Sequence, residues 1–554
     1  MRPALSLIPL LAGALVAAGP PPYDPVVFEE VAAARGLRFV TNSGRTARKH
    51  QPETMVAGVA LLDFDGDGWL DVYAVNGATM PGLVKSGPEF ENRLFRNDGR
   101  GSFTDVTRPA GVAGTGYDLG VATGDFDNDG HTDLFVAGLR RNTLFRNRGD
   151  GTFADVTEAA GLARPDPKLG TMWAVAAAFL DYDRDGRLDL FVSNYVVWDP
   201  EKEPICGNPG APDYCHPKQY QGLPNSLFRN NGDGTFTDVS EKAGIRAHVG
   251  KGMGIGVADF DDDGFPDLFL SNDTTPSFLF MNNRNGTFTE SAFERAAAFP
   301  EKGEAVSGMG TDARDVDNDG RPDVFQTALA NETFPLFRNT GGALFEDVTG
   351  RSGVGAATRP RAGWGNGIAD LNNDGWKDLF VACGDVMAPD GAFGASVPQA
   401  NLLLVNLKDG RFADGSASAG EAFAARKAVH RGVAFGDVDN DGRVDVVVTA
   451  LDGPLELWRN VSPAPSHWLS VKAVGTASPR DGTGAKIKVV TAAGAQWSHV
   501  STAVGYGGAS DPRAHFGLGA EKTVRELTVT WPSGKVQSLR DVAGDQALTV
   551  TEPR

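Results

Sequence analysis

Seven copies of one nine-residue acidic pattern constrain this chain more than anything else in it. The first places Asp63, Asp65, Asp67 and Asp71 at positions 1, 3, 5 and 9, with Gly68 at position 6. The pattern recurs as Asp125, Asp127, Asp129 and Asp133, as Asp181, Asp183, Asp185 and Asp189, and as Asp259, Asp261, Asp263 and Asp267. It then returns as Asp315, Asp317, Asp319 and Asp323, as Asp370, Asn372, Asp374 and Asp378, and as Asp437, Asp439, Asp441 and Asp445. Hard cations take several oxygen ligands on a short loop, and alternate side chains of an extended segment can converge on one ion. The glycine supplies a sharp turn that most residues resist. The pattern therefore predicts up to seven Ca2+ sites. An EF-hand is excluded: position 12 holds Ala74, Val136, Val192, Leu270, Gln326, Val381 and Val448, not the Glu that motif needs, and the flanks read as strands. Each loop should be the turn of a β-hairpin.

The loops also explain the charge. The chain carries 71 acids against 52 bases, a net −19. Positions 1, 3, 5 and 9 of the loops hold 27 of those acids, so the remainder carries a small positive excess. The acidity is metal-ligand chemistry, and no basic run points to nucleic acid. Residues 1–18 read as a signal peptide, with Arg2 before an apolar run from Ala4 to Ala17 and small residues Val16-Ala17-Ala18 for cleavage. That run is too short to span a membrane, and no later stretch is long and apolar enough either. These readings place the protein outside the cytoplasm, secreted or at a periplasmic or cell-surface location, where disulfides are permitted.

Each loop lies within a longer unit. A small-residue strand precedes it, with a glycine five residues before the first Asp at Gly58, Gly120, Gly254, Gly310, Gly365 and Gly432; the third unit has Ala176. Glycine at one fixed strand position predicts close backbone approach. An apolar strand follows the loop, then a Leu-Phe-Arg-Asn strand such as Leu94–Asn97, a Gly-rich turn, and a strand opened by Phe103, Phe153, Phe236, Phe288, Phe345 or Phe412. Four strands per repeating unit mean a propeller or a solenoid. The closing strand missing after Asn460 occurs at the other end of the chain as Phe28-Glu29-Glu30-Val31. That split suits a ring without free edges. The expected fold is all-β: a seven-bladed β-propeller over 27–460, closed by the N-terminal strand, then a linker at 461–466 and a small β-sandwich over 467–554. An insert between Asp189 and Asp259 carries Cys206 and Cys215 among Pro and Gly, which predicts a local disulfide.

On these residues the repeats resemble the FG-GAP/VCBS repeats of integrin-type propellers. The last module resembles the ASPIC/UnbV domain through Gly484-Ala485, His515-Phe516-Gly517-Leu518-Gly519, Trp531-Pro532-Ser533-Gly534 and Glu552. It departs at Pro479 and Asp545, where that domain usually has Asn. The order of modules is similar to that of the cartilage acidic protein-like family. The resemblance implies an extracellular calcium-binding scaffold and carries the metal role onto the seven loops; it brings no catalytic residues.

The start of each first strand must lie opposite the metal loops. This puts Tyr117, Asp118, Trp173, Lys251, Trp364, His430 and Arg431 near the axis on the far face, as candidate contacts for a glycan or protein ligand. There is no Gly-x-Ser-x-Gly elbow and no His-Glu-x-x-His motif. The leading expectation is a scaffold for extracellular recognition or adhesion, and the alternative is a calcium-dependent, lyase-like polysaccharide enzyme.

Overall fold

A computed structural model describes residues 23–208, 210–387, 397–463 and 466–554. The expected signal peptide lies outside the described residues, as do 464 and 465 of the expected linker.

Antiparallel sheet dominates, because the chain alternates short apolar runs with Gly/Asp turns. Seven sheets repeat one arrangement. In the second, Tyr117–Gly124 runs into the acidic loop, Asp133–Leu139 returns beside it, and Thr143–Asn147 and Phe153–Asp155 complete four strands. In the seventh sheet the outermost place is taken by Phe28–Glu30, which pairs antiparallel with Glu456–Asn460: Phe28 faces Asn460 and Glu30 faces Trp458. This join unites segments more than 400 residues apart.

The sheets contact one another in chain order, and the last contacts the first. The conserved-looking glycine position makes these contacts. A methyl group at Gly58 would overlap the backbone of Gly120, one at Gly120 that of Val175, and one at Gly254 that of Met309 and Thr311. Gly310 meets Trp364 in the same way, Gly365 meets Arg431 to Val433, and Gly432 meets Ala57. At these six positions a side chain would block such approach of two backbones, whereas the third sheet accommodates Ala176. In four of these sheets and in the third the strand register shifts next to this position. The residue just before the glycine turns inward: Leu119, Met253, Met309 and Trp364 are buried in a common cluster with Val175.

The C-terminal residues form two packed sheets. His467–Val474 pairs with Ala514–Gly519 and, in parallel, with Gln546–Thr551; Lys486–Val490 pairs with Ala495–His499 and Thr523–Thr530, and the latter with Val536–Ala543. Leu469, Val471, Ile487, Val489, Phe516, Leu527 and Trp531 fill the space between them. No repeat or motif in the chain foretells what this module does next. A hairpin of Ala503–Val504 and Gly508–Ala509 leaves it and joins the first sheet, Ala509 pairing with Ala60. At its tip Tyr506 is fully buried in the central cluster, edge-on to Trp364 at 5.1 Å, and donates to the Met55 carbonyl at 3.1 Å. Gly505 exchanges backbone hydrogen bonds with Thr311, and Gly507 accepts one from Val121.

Candidate metal centres

All seven acidic loops take the same conformation. Position 6 is glycine with φ between 82° and 96°, and position 4 is also left-handed whatever its residue: Gly66, Asn128, Arg184, Asp262, Asn318, Asn373 or Asn440. The bend is fixed by the first aspartate, whose Oδ2 accepts the N–H of the position-6 glycine in every loop, for example Gly130 to Asp125 at 2.8 Å and Gly442 to Asp437 at 2.7 Å. The position-9 aspartate clamps both ends. Its Oδ2 accepts from the residue after the first Asp, as Phe126 to Asp133 at 3.1 Å, and its Oδ1 accepts from the Asn that ends the Leu-Phe-Arg-Asn strand, as Asn147 to Asp133 at 2.7 Å. The same pair recurs at Asp71, Asp189, Asp267, Asp323, Asp378 and Asp445.

These clamps leave carboxylate oxygens aimed at one another. Ligand atoms of Asp63, Asp65 and Asp71 lie within 4.8 Å of each other, as do those of Asp125, Asp127 and Asp133, of Asp181, Asp183 and Asp189, of Asp259, Asp261 and Asp263, and of Asp315, Asp317 and Asp323. The Oδ1 atoms of Asp63, Asp183, Asp261, Asp317 and Asp439 are buried and accept no hydrogen bond. A buried carboxylate oxygen without a donor is costly. Burial pushes the Asp71 carboxyl up to about 8, Asp133 to about 9, and Asp125, Asp181 and Asp437 to about 7. An all-oxygen, convergent, charge-starved set of this kind fits a hard divalent cation.

The arginine of the Leu-Phe-Arg-Asn strand has a role that its sequence motif did not reveal. Arg229 bonds Asp183 at 2.8 Å and Asp185 at 3.2 Å; Arg459 bonds Asp439 at 2.6 Å and Asp441 at 3.2 Å; Arg96, Arg146 and Arg338 do the same in their loops. Each takes the Oδ2 atoms of positions 3 and 5 and leaves the Oδ1 of Asp183, Asp317 and Asp439 without a donor. Two units lack it, with Met281 and Val405 in its place. There Arg284 reaches Asp263 at 2.8 Å, and Lys408 reaches Asp374 at 3.1 Å. The counter-charge is kept although its position in the chain is not.

Position 4 is a docking point for the C-terminal module. Asn128 accepts from the Arg480 N–H at 2.9 Å, Arg184 donates to the Pro532 carbonyl at 2.6 Å, and Asp262 pairs with Lys486 at 2.8 Å. The Asn373 side chain meets His515 at 2.6 Å, and Asn440 accepts from Arg513 at 2.9 Å. The module thus sits on the face that carries the acidic loops.

The seven candidate ligand residues of the far face are all buried, which a surface site cannot be. Segments at 42–55, the insert and the Tyr506 hairpin lie over them. Tyr117 donates to the Ser43 and Pro52 carbonyls; Asp118 accepts from Asn92 and pairs with Lys85; Lys251 donates to Pro217. His430 faces Glu456 at 3.2 Å. Arg431 donates to the carbonyls of Thr54, Gly384 and His430 and lies 3.9 Å from the centre of the Trp364 ring, so these two meet side chain to side chain. The insert is closed by the Cys206–Cys215 disulfide, and Cys383 is free and buried. At the end of the sheets opposite the acidic loops, an open cleft of about 700 Å³ runs between the first and seventh sheets, lined by Arg38, Thr41, Arg45, Asn76, Glu89 and Asp452 among others.

Fold and loops together define an all-β repeat protein with a row of candidate metal sites. The FG-GAP-like repeat family matches residues 63–136, 125–192, 214–270, 259–326 and 315–381, more than half of the chain, and the ASPIC and UnbV family matches 475–554. The chain belongs to the FG-GAP-repeat proteins that end in an ASPIC and UnbV domain. It is 25% identical to cartilage acidic protein 1 of Mus musculus over 518 residues, spanning 90% of this chain and 74% of the relative. It is 26% identical to the Xenopus tropicalis protein of the same name, over 90% and 74%. Among solved structures, an Agrocybe aegerita lectin that recognises non-reducing terminal N-acetylglucosamine superposes with a TM-score of 0.37 and 17% identity, over 72% of this chain and 87% of the lectin.

Proposed function

We propose that this protein is an extracellular recognition scaffold: a closed, calcium-bound, seven-bladed propeller over residues 27–460, carrying a β-sandwich over 467–554 docked on its metal face. The observation that carries the reading is the set of buried carboxylate oxygens with no donor at Asp63, Asp183, Asp261, Asp317 and Asp439, each on a loop whose other oxygens are already clamped. Calcium suits them by ligand type and by its tolerance of irregular geometry. The disulfide and the relatives named for cartilage support an extracellular setting. With the axis filled, recognition falls to the cleft beside Arg38 and Glu89, whose guanidinium and carboxylate make no ion pair among the described residues, and where the buried Thr41 hydroxyl lacks a partner.

A glycan and matrix-protein array probed with the calcium-loaded chain tests this. Binding without turnover, lost on chelation and weakened by Arg38→Ala, is the expected result. Release of product from a polysaccharide, or binding indifferent to both changes, would overturn it.

A further inference from the structure

A small cavity of about 40 Å³ opens where the second and third sheets meet the start of the insert, lined by Leu139, Arg140, Thr171, Trp173, Val196 and Trp198 among others. Trp173 and Trp198 are 1% and 6% exposed. The indole N–H of each is buried and has no acceptor. An indole nitrogen can only donate, and a buried donor left unsatisfied is costly. Two such donors on one cavity call for an occupant that accepts.

The lining decides between water and an anion. None of the residues around the cavity is acidic, in a chain whose net charge is −19. One is a cation. Arg140 holds a left-handed backbone, fixed by its N–H to the Met172 carbonyl at 3.0 Å, and its guanidinium lies 5.3 Å from the centre of the Trp198 ring. It makes one long hydrogen bond, to the Trp198 carbonyl at 3.4 Å, and no ion pair among the described residues. Asp199, which follows Trp198, does not line the cavity; it is paired with Lys202 at 2.9 Å and also lies within Coulombic range of Arg140. The lining therefore offers two N–H donors and one guanidinium against an apolar wall. One water needs roughly 10–15 Å³ by the same measure of volume, so there is room for a halide with a water but not for a phosphate or a sugar acid.

We infer that this cavity is a binding site for a small inorganic anion, chloride under ordinary conditions, held by the Trp173 and Trp198 N–H groups with Arg140 at its mouth. The site is independent of the calcium reading, because none of its residues belongs to an acidic loop. The test uses the calcium-loaded full chain and bromide as the probe. Crystals grown in sodium bromide should show an anomalous peak within hydrogen-bond distance of both indole nitrogens. In solution, bromide should quench tryptophan fluorescence saturably, and Tm should be higher in chloride than in gluconate at equal ionic strength. Trp198→Phe keeps the ring and removes the donor; Arg140→Gln removes the charge from an exposed position that should not affect folding. Each should weaken bromide at least tenfold, and Arg140→Gln decides alone if Trp198→Phe does not fold. Water without an anomalous peak, or bromide binding unchanged by Arg140→Gln, would overturn the assignment.

Discussion

The side-chain amide of Asn97 donates to the backbone oxygen of Val438 at 2.8 Å, tying the first sheet to the acidic loop of the seventh. The equivalent asparagine of every other sheet reaches back in the same way: Asn147 to Phe64, Asn230 to Phe126, Asn282 to Tyr182, Asn339 to Phe260, Asn406 to Val316 and Asn460 to Leu371. Each of the seven sheets is thus tied to the acidic loop of a neighbour, which supports the closed array proposed above. Asn97→Leu strips donors from the buried Leu70 and Val438 carbonyls, which should cost about 1–3 kcal/mol. Urea unfolding in calcium should show the same loss for Asn97→Leu as for Asn282→Leu. A negligible cost at Asn97 alone would indicate an open arc.

Tyr506 couples the C-terminal module to the axis of the repeat array. Removing a buried aromatic side chain costs about 3–5 kcal/mol when its surroundings cannot collapse. Tyr506→Ala also leaves the Met55 carbonyl without its donor. The variant should lose stability on that scale, and limited proteolysis should then cut near the 503–509 hairpin. Wild-type resistance would mean that the tip adds little to docking.

Loop six differs from the rest. Asn372 removes one carboxylate, and Lys408 pairs with Asp374, whose side chain is 5% exposed. The ammonium offsets repulsion when no metal is bound and competes with a cation for the same carboxylate. Lys408→Met should therefore cost no more than about 1 kcal/mol in calcium, the scale of a half-exposed pair, destabilise more in chelator, and tighten calcium at that loop. Calorimetric titration of the variant checks the sign; weaker calcium would show that Lys408 supports the site.

Glu552 closes the C-terminal sandwich. Burial raises its pKa, but three backbone N–H groups, of Thr476, Ala477 and Ser478, and the Ser533 hydroxyl outweigh burial and hold it down to about 2. A carboxyl depressed below its unfolded value near 4.3 stabilises above that pH and loses the contribution as pH falls toward 2. Glu552→Gln should lower the sandwich's Tm at pH 6 to 7, with the difference from wild type closing between about pH 4.5 and 2. A difference independent of pH would place the effect in packing.

What could be read from the sequence was what repeats. The spacing of Asp125, Asp127, Asp129 and Asp133 made the turn and the convergence of its carboxylates legible, and the displaced Phe28 strand was visible because six other units carry its counterpart. The counter-charges were partly hidden: Arg146 stood in a recognised motif, yet nothing along the chain shows which carboxylates it reaches, and Lys408 lies outside the motif altogether. Tyr506 was not legible. Its partners Met55 and Trp364 are far off in sequence, and a single insertion leaves no period. The far-face candidates are buried, and the segments that bury Tyr117 and Arg431 are irregular loops without a pattern to read.

On the proposed reading, divalent ions hold the array together. At ~1 mM calcium and a Kd of ~10⁻⁴ M, each site contributes about 1.4 kcal/mol, and seven give on the order of 10 kcal/mol. Over an array of this size that is a Tm shift of about 10 °C. The direct measurement is the melting of the full chain in 1 mM calcium and in chelator, with bound calcium counted in the same sample. Up to seven ions per chain and a Tm lower by about 10 °C or more in chelator are predicted; an unchanged Tm with no calcium retained would contradict the account.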